Sequence, residues 1–254
     1  MKENNHLTII TCAHNEYLNL KRQYKILKPQ LSTQFRWVVK DSGRCKETEN
    51  FFKKNYNPNI FFNNEKDSGL YEALNISLSY VVDYYMVFGA SDIPNPQIIK
   101  KVLRDRKIEA DFIHTAVEFG EKIKIPNPNG SIIFSLRNRV TSHSCGMIIK
   151  KSIHNSLGKY DTNYQILADY KFLLKSFKTA DVKHLYDFKN FVTGRFSLDG
   201  ISTDPNRIRI LEAYRISKEL RHFPYLQGIF YALRILKLFI HSIYANSKNI
   251  YFNR

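Results

Sequence analysis

Strand-like and helix-like segments alternate along the first hundred residues, and this alternation restricts the fold more than any other feature of the sequence. Short apolar runs predict buried strands, and apolar residues spaced three and four positions apart predict helices. The predicted strands are 6–11, 35–40, 59–62 and 84–88, and the predicted helices between them are 17–27, 46–55 and 70–81. Such alternation with short connections is typical of parallel βαβ units with right-handed crossovers. The sequence therefore predicts an α/β fold, with a mostly parallel sheet flanked by helices.

The pattern after residue 92 is less regular. It predicts a helix near 95–106, a single strand over 110–119 and a helix at 167–177. In the helix predicted at 70–81, the apolar spacing places six side chains on the buried face. They are Leu70, Ala73, Leu74, Ser77, Leu78 and Val81.

Acidic residues follow three of the four predicted strands. Asp41 follows the second strand, Asp67 the third and Asp92 the fourth. Because ligands bind beyond the carboxyl ends of the strands in an open α/β sheet, these carboxylates are candidate ligand-binding groups. The alternative is that aspartate is simply common in turns.

Several segments, taken in chain order, resemble bacterial family 2 glycosyltransferases of the GT-A fold. They are "LTIITCAHNE", "WVVKDSGRCKET", "EKDSGLYEALNISL", "MVFGASDI", "SHSCGMIIKKSIHNSLGKYD", "LADYKFLLK" and "LDGIST". The resemblance extends from about residue 7 to 210 and implies a Rossmann-like GT-A sheet. We accordingly predict a catalytic domain at 1–200, with a nucleotide-sugar half at about 1–94 and an acceptor half at about 95–200. Residues 201–254 would form a basic, amphipathic helical extension.

The resemblance also implies roles for individual residues. The implied nucleotide-sugar contacts are Thr11, Ala13, His14, Glu16, Asp41, Asp67, Gly69 and Ser91. Ala13 and His14 would contact the nucleobase, and Asp41 would accept a hydrogen bond from the base N–H or from a ribose hydroxyl. A satisfied surface histidine is the alternative for His14. At the start of the helix that follows Asp67, Ser68 can act as the cap, which would leave Asp67 free to face the donor.

Asp92 is the implied ligand for a divalent cation, Mn²⁺ or Mg²⁺, which would neutralise the leaving diphosphate. Ser91 stands where many relatives have a second acid, so metal affinity is expected to be lower or the role of the metal smaller. The alternative for Asp92 is a turn residue before Pro94.

Asp169 is the implied general base, which would take the proton of an acceptor hydroxyl. One carboxylate suffices for a direct displacement, which inverts the anomeric centre, and the resemblance also implies inversion. The alternative for Asp169 is a helix N-cap. His143 is implied on the acceptor side, and the alternative is a histidine bound to nearby backbone.

The chain is strongly basic, with 39 Lys and Arg against 23 Asp and Glu and a net charge of +16. Such a surface attracts phosphates. From residue 201 onward the chain is basic and helical in pattern, and 228–244 is apolar apart from Arg234, Lys237 and His241. This segment predicts a helix that lies at an anionic membrane surface. Packing on the catalytic domain or in a homo-oligomer is the alternative.

The implied acceptor is a glycan or lipid-linked glycan for a bacterial surface polysaccharide such as capsule or lipopolysaccharide. Three scattered cysteines without a C-x-x-C pair fit a reduced compartment. With no signal-peptide pattern and no long apolar run, we expect a cytoplasmic enzyme that is peripheral on the inner face of the plasma membrane. A nucleotide-sugar-binding protein without catalysis is the alternative, and the acids at the strand ends argue against nucleic-acid binding.

Overall fold

The computed structural model describes residues 6–43, 45–97, 102, 109–126, 143–186, 192–197, 207–221 and 223–252. The described strands are β1 Leu7–Ala13, β2 Phe35–Asp41, β3 Ile60–Asn63, β4 Tyr84–Gly89, β5 Ile93–Pro94, β6 Phe112–His114, β7 Ala116–Phe119, β8 Lys122–Lys124, β9 Met147–Lys150, β10 His184–Tyr186 and β11 Val192–Phe196. The described helices are α1 Tyr17–Leu27, α2 Lys46–Lys54, α3 Leu70–Ser77, α4 His154–Leu157, α5 Ala168–Lys178, α6 Arg207–Glu219 and α7 Pro224–Phe252. The strands and helices predicted in the first hundred residues are confirmed to within a few residues at their ends.

Seven strands form the central sheet in the order β10-β6-β9-β4-β1-β2-β3. The neighbours β1 and β2, β1 and β4, and β2 and β3 are parallel, as the alternation predicted. β9 departs from the βαβ pattern, because it lies between β4 and β6 and is antiparallel to both. The sheet is therefore mostly parallel, and its first half places the ends of β1, β2 and β4 side by side.

The prediction of a single strand over 110–119 is wrong, because the chain passes from one sheet to another at Thr115. β6 belongs to the central sheet, while β7 joins a four-stranded sheet of order β5-β11-β7-β8. The hydroxyl of Thr115 lies 3.0 Å from both the Gly146 carbonyl oxygen and the Thr193 hydroxyl. These contacts between distant segments hold the chain where it changes sheets, and no local sequence pattern predicts them.

The core lies on both faces of the central sheet. One face packs against α1 and α2 around Trp37, which is fully buried. The other packs against α3, α5 and α6. From α6, Ala213 and Ile216 are 1% and 0% exposed and pack in this second cluster. α6 is therefore part of the core of the described structure, although we predicted it in the extension at 201–254.

Leu70 does not lie on the buried face of α3 as predicted. It is the first residue of the helix and is 44% exposed, whereas Tyr71 is 3% exposed and points inward. The other five predicted residues (73, 74, 77, 78 and 81) are buried. The helix ends at Ser77 and continues as a 3₁₀ turn over Leu78–Tyr80. The apolar spacing thus predicted this face correctly except at the helix end.

The helix predicted near 95–106 and the "LDGIST" segment lie mostly outside the described residues. At the C-terminus, α6 and α7 confirm the predicted helical pattern. Tyr214 of α6 stacks on Tyr231 of α7 with ring centroids 5.0 Å apart. In the described part of the chain, no helix combines the length and the apolar content needed to cross a bilayer.

Candidate active site

The carboxyl ends of β1, β2 and β4 meet at one edge of the central sheet. In the strand register, Ala13 lies beside Asp41 and Cys12 beside Gly89. The β3 end is one strand further along, with Asn63 beside Lys40. The loops that follow these strands carry the predicted donor-side residues, so the topology brings them to the same edge.

Asp41 holds the loop after β1 and keeps one carboxylate oxygen unpaired. Its Oδ1 accepts backbone N–H bonds from Asn15 at 3.3 Å and Gly43 at 3.0 Å. The residue is 1% exposed, and Oδ2 is buried without a hydrogen-bond partner. Leaving a buried carboxylate oxygen unpaired costs free energy, so this atom is a natural acceptor for a ligand N–H or O–H.

The other residues predicted around the first loop have different surroundings. Thr11 is fully buried, donates to Gln23 Oε1 at 2.9 Å and accepts from the Trp37 indole at 3.1 Å. Its hydroxyl is therefore below the loop and does not face a donor, which corrects the predicted contact. His14 is exposed, with Nδ1 3.0 Å from the Ser42 hydroxyl. Ala13 and Glu16 are partly buried at the same loop.

Asp67 is not free, because it forms an ion pair with Lys40. Lys40 Nζ lies 2.8 Å from Asp67 Oδ2, with side-chain exposures of 0% and 6%, and also donates to the Glu65 carbonyl. Asp67 Oδ1 accepts the N–H of Gly69 at 3.1 Å. The carboxylate thus shapes the loop before α3, and Lys40 was missed in the sequence because its partner is 27 residues away.

Ser68 does not cap α3, which corrects that prediction. The N-cap residue of α3 is Gly69, whose φ of +146° favours glycine. No side-chain hydrogen bond caps the helix at this position. Instead the Glu72 carboxylate accepts the backbone N–H of Ser68 at 2.5 Å. Glu72 therefore ties the residue before the N-cap to the first turn of α3.

The loop after β4 is tied to α1. The side-chain amide of Gln23 donates to the carbonyl oxygens of Gly89, Ala90 and Asp92 at 2.7, 3.2 and 2.9 Å. Arg22 donates to the carbonyl of Ser91 at 2.7 Å. Ser91 is partly buried, and its backbone is fixed by an exposed cation at the site edge.

Both carboxylate oxygens of Asp92 accept backbone N–H groups. Oδ2 accepts from Gly89 at 2.7 Å and Oδ1 from Ser197 at 2.8 Å, so the side chain connects the β4 loop to the end of β11. Asp92 is 3% exposed, and burial raises its pKa to about 6 against the lowering effect of these hydrogen bonds. The geometry is that of a buried structural carboxylate.

This geometry does not fit a preformed metal site. Among the described residues, no three His, Cys, Asp or Glu side chains converge as metal ligands. A carboxylate oxygen can accept two hydrogen bonds, so Asp92 keeps lone pairs, but little of it is open to a cation. A cation here would need most of its oxygen ligands from outside the protein, such as substrate phosphates.

Asp169 lies in the first turn of α5 and is held on one side only. Its Oδ1 accepts the Tyr71 hydroxyl at 2.9 Å and the Tyr170 N–H at 2.8 Å. Oδ2 has no hydrogen-bond partner within the described ranges, and the residue is partly buried. The N-cap of α5 is Leu167, so Asp169 is not the cap. Burial raises the pKa of Asp169, while the Tyr71 hydroxyl, backbone N–H groups and the Arg209 charge act to lower it.

His143 lies in an aromatic cluster on the second sheet. Its ring is 4.1 Å from the Phe196 ring and 5.4 Å from the Phe119 ring, centroid to centroid, and Nε2 lies 3.4 Å from Lys124 Nζ. Burial lowers its pKa to about 4, assisted by the charges of Lys124 and Arg209. The side chain is therefore a neutral imidazole at pH 7.

Contacts connect the predicted donor and acceptor sides. Tyr71, at the start of α3, follows the Asp67–Gly69 loop and bonds Asp169. The positive charge of Arg209 on α6 acts to lower the pKa of both Asp169 and His143. Neither Tyr71 nor Arg209 was predicted from the sequence. The only signal for Tyr71 was its place in "DSGLYEALN", after the acidic loop.

No protein-family model and no curated protein matches this sequence. Solved structures do match in fold. S. aureus TarS superposes with a TM-score of 0.54 at 13% identity over 84% of this chain, which spans only 39% of the TarS chain. Glucosyl-3-phosphoglycerate synthase from Mycobacterium tuberculosis, in complex with Mn²⁺, uridine diphosphate and glucosyl-3-phosphoglycerate, gives 0.50 at 14% identity, covering 74% of this chain and 71% of that chain.

A third structure is 4-diphosphocytidyl-2C-methyl-D-erythritol synthase from Anaerococcus prevotii. It gives a TM-score of 0.51 at 11% identity, covering 86% of this chain and 97% of that chain. At such low identities the likeness concerns the fold. The fold is the GT-A fold, a Rossmann-like and mostly parallel sheet flanked by helices, as the sequence resemblance to family 2 glycosyltransferases implied.

Proposed function

We propose that this protein is an inverting glycosyltransferase that moves a sugar from a nucleotide sugar to a hydroxyl group. The observation that carries the proposal is the Asp169 carboxylate. Tyr71 and a backbone N–H fix Oδ1, and Oδ2 has no partner in the described structure. A general base needs this combination of a fixed orientation and an available oxygen. The contact with Tyr71 links this carboxylate to the first turn of α3, directly after the Asp67–Gly69 loop, which supports a position near the proposed donor loops.

In the proposed reaction, Oδ2 of Asp169 takes the proton of the acceptor hydroxyl. The acceptor oxygen forms a bond to the anomeric carbon while the bond from that carbon to the diphosphate oxygen breaks. The electron pair leaves with the nucleoside diphosphate, and the single displacement inverts the anomeric centre. Because burial raises the pKa of Asp169, its carboxylate is a stronger base than an exposed aspartate.

Asp41 is our proposed donor anchor. Its unpaired, buried Oδ2 would accept a hydrogen bond from the nucleobase N–H or a ribose hydroxyl, and a uridine nucleotide is the default donor. His14 and Ala13 at the neighbouring loop would contact the base, and Glu16, Gly69 and Ser91 line the adjoining loops. Asp67 would act through the loop shape that its ion pair with Lys40 maintains.

A divalent cation, Mn²⁺ or Mg²⁺, remains part of the proposal, with Asp92 as its candidate protein ligand. When bound, the cation would neutralise charge on the leaving diphosphate. Since Asp92 is buried and bonded to two backbone N–H groups, most ligands of the cation would come from the diphosphate. We expect metal binding to depend on a nucleotide diphosphate being present.

The proposed acceptor is a glycan or lipid-linked glycan of a surface polysaccharide, with His143 on the acceptor side. With a lipid-linked acceptor, the C-terminal helices would hold the enzyme at the membrane that contains this acceptor. Apolar side chains at 226, 229, 233, 236 and 240 are 40–59% exposed along α7, at helical spacing. With the net charge of +16, this row supports contact with an anionic membrane at the cytoplasmic face. A homo-oligomer through α7 is the competing arrangement.

The test begins with a thermal-shift panel of UDP-, GDP- and dTDP-sugars, with and without Mn²⁺ or Mg²⁺. The best donor is then assayed for nucleotide release with a lipid-linked acceptor extract. Asp169→Asn should lower turnover by about a hundredfold to ten-thousandfold and leave nucleotide binding unchanged. Asp161→Asn is the matched control, because Asp161 pairs with Lys171 in a turn and should keep near-normal turnover.

A nucleotide-sugar-binding protein without catalysis is the second candidate. It is favoured by the burial of Asp92 and by Ser91, which stands where many family 2 glycosyltransferases have a second acid. It predicts a thermal shift with nucleotide sugars and no nucleotide release by the wild-type protein with any acceptor extract. Turnover that requires Asp169 would exclude this candidate.

A further inference from the structure

A buried carboxylate of α6 holds the loop that leads to Asp169. Glu212 is 4% exposed, and its two oxygens accept three backbone N–H bonds. The donors are Gln165 at 2.6 Å, Ile166 at 3.0 Å and Leu167 at 2.9 Å. Hydrogen bonds to an ionised acceptor are stronger than neutral ones, so three on one carboxylate fix this loop firmly.

The same loop is bound from the opposite side by the residue that orients Asp169. The Tyr71 hydroxyl shares its single proton between the Ile166 carbonyl oxygen, 2.5 Å away, and Asp169 Oδ1, 2.9 Å away. Glu212 therefore holds the N–H side of the loop while Tyr71 holds its carbonyl side and the carboxylate two residues beyond the loop. A shift of residues 165–167 would move Asp169 relative to Tyr71.

The helix that carries Glu212, α6, is packed against the core. Ala213 and Ile216, next to Glu212 on α6, are buried in the core cluster that also contains Leu167, Ala168 and Tyr71. On its other side, α6 stacks Tyr214 on Tyr231 of α7. A chain of packed contacts thus runs from α7 through α6 to the first turn of α5.

We propose that Glu212 is a positioning residue for Asp169, and that α6 is consequently a working part of the active site. The proposal rests on the proposed function, in which Asp169 is the general base. Glu212 touches neither donor nor acceptor, and its effect passes through the backbone of residues 165–167. Without the full carboxylate, the three N–H groups no longer share one charged acceptor, and the loop that sets the orientation of Asp169 is held less firmly.

The experiment uses Glu212→Gln in the full-length chain, since glutamine keeps the size and one acceptor oxygen. With the donor found in the panel, kcat should fall about tenfold to a hundredfold, because misplacement of a catalytic group by about 1 Å can cost about a hundredfold. The Kd for UDP, measured by calorimetry, should change less than twofold. Loss of kcat with unchanged nucleotide affinity is the signature of positioning.

Glu219→Gln is the matched control on the same helix. The Glu219 carboxylate contacts the Tyr164 hydroxyl at 2.7 Å and Lys171, and it makes no described contact with the amides of 165–167. This variant also loses an anchor of α6, on a side chain that is 45% exposed, and its kcat should stay within twofold of wild type. Equal losses of kcat in both variants would assign the effect to seating of α6 and overturn the proposal.

If Glu212→Gln does not fold, Glu212→Asp keeps the charge with a shorter reach and is measured in the same way. Failure of both to fold overturns the proposal, because Glu212 then maintains the fold rather than the base. Wild-type kcat in Glu212→Gln overturns it as well. That outcome differs from failure of the proposed function, in which Asp169→Asn itself would retain wild-type turnover.

Discussion

Lys40 Nζ lies 2.8 Å from Asp67 Oδ2, in an ion pair whose side chains are 0% and 6% exposed. The pair joins the end of β2 to the loop before α3, and Lys40 also donates to the carbonyl of Glu65. Lys40 directly precedes Asp41, the proposed donor anchor. The ion pair therefore connects the two loops that would enclose a nucleotide.

The first prediction concerns this ion pair. Lys40→Met leaves a buried carboxylate without its counter-charge, and breaking such a pair costs about 3–5 kcal/mol. We expect the free energy of unfolding, measured in urea, to fall by about 3 kcal/mol and UDP binding to weaken. The double variant Lys40→Met/Asp67→Asn should recover part of the stability, because no buried charge remains. A double variant less stable than the single one would contradict this account.

The second prediction is a pH dependence of catalysis. The proposed base must be ionised, and burial raises the pKa of Asp169, so kcat/KM should fall on acidification at a pH above the pKa of an exposed aspartate. The Tyr71 hydroxyl acts to lower this pKa. Tyr71→Phe should therefore move the acid limb of the pH–rate profile to higher pH.

Tyr85→Phe is the control for that profile. Tyr85 is a fully buried tyrosine whose hydroxyl contacts Tyr160 and His154 and makes no described hydrogen bond to Asp169. Its acid limb should coincide with that of wild type. An acid limb that stays in place in Tyr71→Phe would show that the 2.9 Å contact does not stabilise the Asp169 carboxylate in solution.

The third prediction concerns Asp92 and stability. Its folded-state pKa is raised from 3.8 to about 6, so between these values the native state binds more protons than the unfolded state. Stability contributed by this group is therefore lost as pH rises from about 4 to about 6. The loss approaches ~3 kcal/mol, at about 1.4 kcal/mol per pKa unit. Asp92→Asn removes this term, so wild type should lose stability relative to the variant across that range.

Asp161 provides a comparison of opposite sign. Burial acts to raise the pKa of Asp161, but the contacts with Lys171 and Asn163 hold this pKa below its usual value. Its contribution is present above the unfolded pKa and is lost as pH falls through the folded one. Urea unfolding of wild type, Asp92→Asn and Asp161→Asn from pH 3 to 7 should therefore give difference curves that slope in opposite directions.

The fourth prediction concerns α7 at a membrane. Ile229 is 59% exposed in the apolar row of α7, and Ile123 is equally exposed on β8 of the four-stranded sheet. Ile229→Glu should reduce binding to vesicles of anionic lipid at least tenfold, because it places a charge where the helix would enter the interface. Ile123→Glu should bind as wild type does, and added salt should weaken binding in all three proteins.

The competing arrangement has its own result in the same experiment. If α7 forms a homo-oligomer, Ile229→Glu changes the mass of the assembly in light scattering, and wild type fails to sediment with vesicles. Sedimentation with anionic vesicles by a monomer would support the membrane.

How much of the site was predictable depends on the range of each signal. Asp41, Asp67, Asp92 and Asp169 stand out as candidates in the sequence because strand exits and helix starts are local patterns with turn chemistry. Their surroundings could not. Asp92 and Asp41 both follow buried strands, yet one has both oxygens bonded to backbone and the other keeps an oxygen unpaired. That difference comes from loops that other elements bring into contact.

The sequence by itself determined the strand–helix order, the parallel half of the sheet and the edge at which the acidic residues gather. Apolar periodicity encodes these features within windows of some ten residues. Only the tertiary structure decided the partners: Lys40 for Asp67, Tyr71 for Asp169 across 98 residues, and Glu212 for the loop at 165–167. Burial is the physical reason, because a carboxylate taken out of water must find donors wherever packing of the chain supplies them.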